Sequence, residues 1–337
     1  MKLCLKWPSV GPRNLEISQP QPDVQSGSDA AADFSVLPQQ LFHVRGKVVD
    51  STGRAPNSIS VTFAFQSITG QSGAFSIGQS YDSTAGNFDV PNLTPGSYIV
   101  QIATTTVERA TIEVVNANVE NLSFVMGAGA VLTGHIRVDG SGNSLRPGAD
   151  RARLQLRGID VGLTVGNNTV ESDGSFRIES ISPADYRAVV TNIPVEFYAK
   201  EVRLGGLDLM NQTIHVASDA PINGTVDILL SPNVSQIDGA VLDDRGQPIP
   251  GILAVLVPDR DRDHTELFKT ATTDQTGHYS IRGIPPGDYK LFAWETVESF
   301  GYFDPELLKQ SDSQGKAIHV SDSSKMNQDI HTIRQAP

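Results

Sequence analysis

The chain has 337 residues, 26 Lys plus Arg against 38 Asp plus Glu, a net charge of −12 and a single cysteine, Cys4. The length allows two or three domains; the acidic excess and the lack of a basic run with interleaved aromatics argue against nucleic acid as a partner; one thiol excludes an internal disulfide and a cysteine metal cluster. High Gly (30) and Pro (20) with many β-branched residues favour an all-β chain rich in turns, and no stretch approaches the roughly 18 consecutive apolar residues of a membrane helix.

In chain order, residues 1–40 are the least defined. The start, MKLCLKWPSVGPRN, lacks the apolar run and small-residue cleavage site of a signal peptide. Gln19 to Asp33 reads as loop, with one strand expected on each side at Asn14 to Ser18 and Asp33 to Leu37. This layout is expected to be the tail of an incomplete repeat. The first full unit, 41–128, opens at HVRGKVVDSTGRAP, where alternation predicts a strand and Ser51 to Pro56 a turn. Ile59, Val61, Phe63 and Phe65 fall on one face of the next strand, and Val119 to Met126 closes the unit. The second unit, 129–232, opens at LTGHIRVDG and the third, 233–337, at DGAVLDDRGQP.

One segment recurs in all three. STAGNFDVPNLTPGSYIVQ, SDGSFRIESISPADYRAVV and TDQTGHYSIRGIPPGDYKL each place a Gly two residues before an aromatic and twelve before a Tyr: Gly86, Phe88, Tyr98; Gly174, Phe176, Tyr186; Gly277, Tyr279, Tyr289. The intervals from the opening Gly46, Gly134 and Gly239 to the turn glycine are 40, 40 and 38 residues. A spacing held three times marks one structural unit repeated. Each Gly supplies a tight turn, the alternating residues after it a strand, and Pro286-Gly287 a second turn. The tyrosines are expected to bury their rings and hydrogen-bond the neighbouring turn, as corner tyrosines of β-sandwiches do.

These residues resemble a known family. Gly239-Ala240-Val241-Leu242-Asp243-Asp244-Arg245-Gly246-Gln247-Pro248, then Thr273-Asp274, Gly277, Tyr279 and Pro286-Gly287-Asp288-Tyr289, look like the bacterial carboxypeptidase regulatory-like repeats. Phe197 to Asp208 (FYAKEVRLGGLD) and Phe292 to Lys309 are similar to stretches of the same multi-repeat proteins, and the resemblance covers about Leu41 to Ile333. It implies an all-β tandem array of transthyretin-like, prealbumin-type Greek-key β-sandwiches, grouped with carbohydrate-binding-like folds. It also implies export to the periplasm, cell surface or medium, and non-catalytic work, sometimes beside peptidases or outer-membrane transporters. Repeat one departs from the pattern with Arg54-Ala55-Pro56, and repeat two carries Pro183-Ala184-Asp185-Tyr186 without the turn Gly, which puts the geometry of that turn in question.

The search for chemistry returns little. No histidine begins the His-x-x-Glu pair a zinc carboxypeptidase needs, and no nucleophile elbow or phosphate loop is present. No cofactor is expected. Asp259, Asp261 and Asp263 alternate as in a calcium loop, but His264 stands where Gly is required and Arg260 and Arg262 neutralise the charge, so a self-paired loop is the reading and calcium the alternative. Lys47 and Asn121 are the one pair placed for a Lys-to-Asn crosslink of the kind found in related adhesin sandwiches, against an ordinary surface lysine. Trp294, Phe300, Tyr302 and Phe303 cluster beyond the last Tyr strand, before a short helix expected at Pro305 to Lys309, and are the candidate platform for a sugar or peptide. The expectation is a structural or protein-binding spacer, with a polysaccharide-binding array as the alternative.

Overall fold

The computed structural model describes residues 40–66, 72–76, 78–141, 145–159, 164–166, 169–217, 221–298 and 300–333. Cys4 and the strands expected at 14–18 and 33–37 lie outside the described residues. The chain divides into two compact units, 1–130 and 131–337.

The described residues of the first unit form one sandwich of eight strands: β1 (Phe42–Asp50), β2 (Ser60–Gln66), β3 (Ser72–Phe75), β4 (Ser80–Asp82), β5 (Asn87–Leu93), β6 (Gly96–Ala103), β7 (Val107–Val114) and β8 (Val119–Met126). They form two sheets, β4-β5-β1-β8 and β3-β2-β6-β7. Period-two alternation sends Val44, Val48, Phe88 and Val90 from one sheet, and Phe63, Tyr98, Val100 and Ile102 from the other, into a shared core. Each such buried side chain contributes about 1.5–3 kcal/mol.

The second unit holds two sandwiches. The first of them comprises β9 (Ala130–Val138), β10 (Arg153–Gly158), β11 (Thr164–Val165), β12 (Ser175–Ile181), β13 (Ala184–Thr191), β14 (Tyr198–Leu204), β15 (Leu207–Asp208), β16 (Ile214–Val216) and β17 (Thr225–Ser231). Its sheets are β11-β10-β13-β16 and β12-β9-β17-β14-β15. The other comprises β18 (Ser235–Leu242), β19 (Leu253–Pro258), β20 (Lys269–Thr272), β21 (His278–Ile284), β22 (Gly287–Trp294), α1 (Pro305–Ser311), β23 (Lys316–Val320), β24 (Lys325–Asn327) and β25 (Ile330–His331). Its sheets are β21-β18-β24, with β25 also on β18, and β20-β19-β22-β23. The fold is thus all-β and built of tandem sandwiches, with the expected short helix present. Asp304 caps that helix by accepting from the Glu306 amide, and Pro305 opens it.

A common strand relation runs through all three sandwiches: the first and last strands lie side by side and parallel. β1 pairs with β8, β9 with β17, and β18 with both β24 and β25.

Candidate functional site

The recurring segment builds one corner three times. Gly86, Gly174 and Gly277 have φ of 78°, 89° and 79°, a region that favours glycine. Their carbonyls accept from Val48, Ile136 and Val241, each two residues past the opening glycine, at 2.8, 2.8 and 3.1 Å. The Gly277 turn is tightened by Asp274, whose Oδ1 accepts from the amides of Thr276 and His278; Asp243 does the same from Arg245 and Gln247, and Asp50 from Thr52 and Arg54, in the turns that follow the opening strands of the third and first sandwiches. The Thr276 hydroxyl and these amides hold the Asp274 carboxyl below its ordinary range.

The opening glycines have a packing cause. Gly46 is opposite Phe88 and Gly239 opposite Tyr279 in the antiparallel ladders. A Cβ on Gly134 would stand 1.9 Å from Phe176 Cζ, and one on Gly46 would stand 2.7 Å from Phe88 Cε1. The aromatic two residues after the turn thus covers bare backbone on its neighbour.

The corner tyrosines behave alike. The hydroxyls of Tyr98, Tyr186 and Tyr289 donate to the carbonyls of Thr94, Ser182 and Pro285, four residues back, at 3.0, 2.9 and 2.9 Å. All three rings are buried. Pro286 and Gly287 form the turn in the third sandwich; Ala184 replaces the glycine in the second, and the tyrosine bond is retained there. One recurring feature was not readable from residue type. Six positions before each tyrosine, Asn92, Ser180 and Gly283 have φ of 66°, 56° and 67°. At Asn92 and Gly283 the ladder register shifts, so these are bulges that bend the strand into the corner.

The candidate platform separates into two parts. Trp294 is 1% exposed: its ring stacks on Phe292 at 5.2 Å and its Nε1 donates to Ser311 Oγ at 3.1 Å. A sugar needs an open ring face, so Trp294 is corrected from platform to core. The segment after β22 folds back over the outer face of the β20-β19-β22-β23 sheet, and Leu308 of α1 joins Phe268, Phe292 and Trp294 in a second apolar layer. Tyr302 and Phe303 pack against that layer half-buried, with ring centroids 4.5 Å apart. Phe300 is 69% exposed, with φ of 65°, and lies stacked 6.2 Å from Phe303.

The aspartate run does not converge. Asp259 faces Arg262 at 3.6 Å, Asp263 faces Arg187 at 3.3 Å, and Arg262 reaches Asp312 at 2.8 Å. Among the described residues no three His, Cys, Asp or Glu side chains gather closely enough to hold a metal ion. Lys47 is exposed and lies opposite Ser123, while Asn121 is exposed in a bulge of β8 with φ of 62°. Neither has the buried setting that activates a lysine amine.

The strand order, opening glycine, turn and corner tyrosine of the third sandwich coincide with a match to the carboxypeptidase regulatory-like domain over residues 236–303. Over residues 236–303 the chain is similar to the carboxypeptidase regulatory-like domain. No curated protein matches the chain in sequence. Among solved structures, a Streptococcal ancillary pilin is 11% identical, with 87% of this chain and 99% of that one covered at a TM-score of 0.28. The Bacillus anthracis TIE protein is 10% identical over 87% of this chain at a TM-score of 0.26, and this chain spans 50% of its length. GBS52, the minor pilin of Streptococcus agalactiae, is 14% identical over 62% of this chain and 97% of its own, at a TM-score of 0.26. The sandwiches of this chain are defined by their own strand pairing.

Proposed function

We propose that this chain is a non-catalytic, exported β-sandwich protein that works as a load-bearing spacer. The observation that carries the reading is the parallel pairing of first and last strands in every sandwich. The backbone enters on one strand and leaves on its neighbour in the same direction, so tension along the chain slides the two past each other. In the second sandwich, pairs from Thr133↔Thr225 to Val138↔Leu230 then load together. A hydrogen bond adds only about 1 kcal/mol net in water, but bonds loaded in shear fail together, whereas bonds at a peeled edge fail one at a time. The export part of the reading draws on the regulatory-like domain. Stretching the intact chain by its ends tests the proposal: a spacer gives separate, high-force rupture events, and yielding at the forces that peel hairpins counts against it.

A second reading, glycan recognition, is favoured by one observation. Phe300 holds an exposed ring on backbone that a bulky residue rarely adopts, above Tyr302 and Phe303. Such a ring offers a stacking face to a sugar. A cell-wall polysaccharide screen on the chain and on Phe300→Ala tests it: saturable binding lost in the variant supports recognition, and no binding to any polysaccharide removes it.

A further inference from the structure

Arg157 of β10 and Arg187 of β13 stand directly opposite each other in their antiparallel ladder. Like charges at facing positions repel. Both side chains are more than half withdrawn from water, at 38% and 31% exposed, which sharpens the need for anions nearby. The anions come from the third sandwich. Asp263, in the loop after β19, accepts from Arg187 Nη1 at 3.3 Å, and Glu266, on the 3-10 turn Thr265–Leu267, lies 4.0 Å from Arg157 Nη1. Glu266 Oε2 is buried without a hydrogen-bond donor, so its charge is balanced by the guanidinium across the gap. His264 sits between the two acids, 3.8 Å from Asp263 and 3.6 Å from Glu266. Arg157, Arg187, Asp263 and His264 all line one cleft of about 420 Å³.

The same sheet position differs in the other sandwiches. Arg187 follows the corner Tyr186; in the third sandwich Lys290 follows Tyr289, opposite Val257, and in the first Ile99 follows Tyr98, opposite Ala64. Lys290 is covered by its own sandwich, since Asp312, just past α1, lies 2.5 Å from its Nζ. A cation after the corner tyrosine thus has an acid laid over it in both cases, from the neighbour in one and from the domain's own insertion in the other. Only Pro232, Asn233 and Val234 separate β17 from β18.

We propose that the Arg157–Arg187 pair is an acid receptor, with the loop 259–266 as its plug, that locks the third sandwich to the second so that the two move as one segment. Polar interfaces between domains ordinarily permit motion, and this one is fixed by charge placement. The alternative is that steric fit alone fixes the joint, as where the Val195 carbonyl closes over Gly283.

The test is a pulsed electron-spin distance measurement on the full chain, with Cys4→Ser and labels at Glu179→Cys and Asp322→Cys. The parent gives one narrow distance distribution. Asp263→Arg with Glu266→Arg broadens it about twofold, and adding Arg157→Glu and Arg187→Asp restores the parent width, because swapped charges pair as well as native ones. Unchanged width after reversal, or a swap that stays broad, overturns the proposal. If reversal prevents folding, as judged by circular dichroism, a salt titration of the parent decides: width that grows with ionic strength supports the receptor, and constant width overturns it.

Discussion

The Phe176 ring lies against the bare backbone of Gly134, so close that a Cβ there would stand 1.9 Å from Cζ and 2.5 Å from Cε1. Phe176 is itself buried, with little room to retreat. Gly134→Ala therefore overpacks the second sandwich and destabilises it by about 3 kcal/mol. A shift of the urea midpoint measures the loss, and a second substitution, Phe176→Leu, recovers part of it by vacating the ring's space.

Removing one corner hydroxyl isolates its bond. Tyr186→Phe keeps the ring buried and removes the hydroxyl that donates to the Ser182 carbonyl, at a cost of about 1 kcal/mol. Tyr98→Phe removes the matching bond to the Thr94 carbonyl and costs about as much, about 1 kcal/mol, in its own sandwich. Urea titrations of the two variants measure both losses, and an unchanged midpoint in either contradicts the corner bond.

Burial, aided by nearby Tyr198, pushes Tyr289 up to about 12 from 10.0. The neutral phenol is thus favoured in the fold, and its contribution is complete below pH 10. Between about pH 10 and 12 the unfolded chain ionises first, and stability falls by up to roughly 3 kcal/mol. Tyrosinate absorbance against pH, with Tyr289→Phe as reference, follows this loss; the variant shows a shallower alkaline slope.

The turn aspartates act at the other end of the scale. Asp274, Asp243 and Asp50 are all held below 3.8 in the fold, by a Thr hydroxyl at Asp274 and Asp50 and by the Gln247 amide at Asp243. Their stabilisation is present above 3.8 and is lost as pH falls through the lowered native values. Asp274→Asn flattens the acid limb of thermal stability against pH, and an unchanged limb contradicts the role given to the turn.

Trp294 and Phe300 have opposite roles. Trp294→Ala opens a cavity between Phe292 and Leu308 and costs about 3–5 kcal/mol. Phe300→Ala changes stability by no more than about 0.5 kcal/mol, since little of its ring is covered. Calorimetry on the pair separates the core residue from the exposed one.

Much of the corner was legible because its physics demands particular residue types. Positive φ wants Gly86, Gly174 and Gly277, and a buried ring with one hydroxyl wants Tyr98, Tyr186 and Tyr289. The bulge six residues earlier was hidden because three different residues, Asn92, Ser180 and Gly283, meet the same backbone need. Trp294 was misjudged as a platform because its cover comes from an insertion whose return path carries no local signal. The Arg157–Arg187 pair was invisible for another reason: facing positions depend on register between strands some thirty residues apart, set by the whole sheet.

The most direct test of the load-bearing account is single-molecule stretching of the second sandwich in two directions within the intact chain. Pulling by the chain ends shears β9 against β17, whereas handles at Thr133→Cys and Thr225→Cys, in a Cys4→Ser background, peel the same pair from one end. The account predicts a clearly higher rupture force end to end than in the peeled geometry. Equal forces in both directions would contradict it.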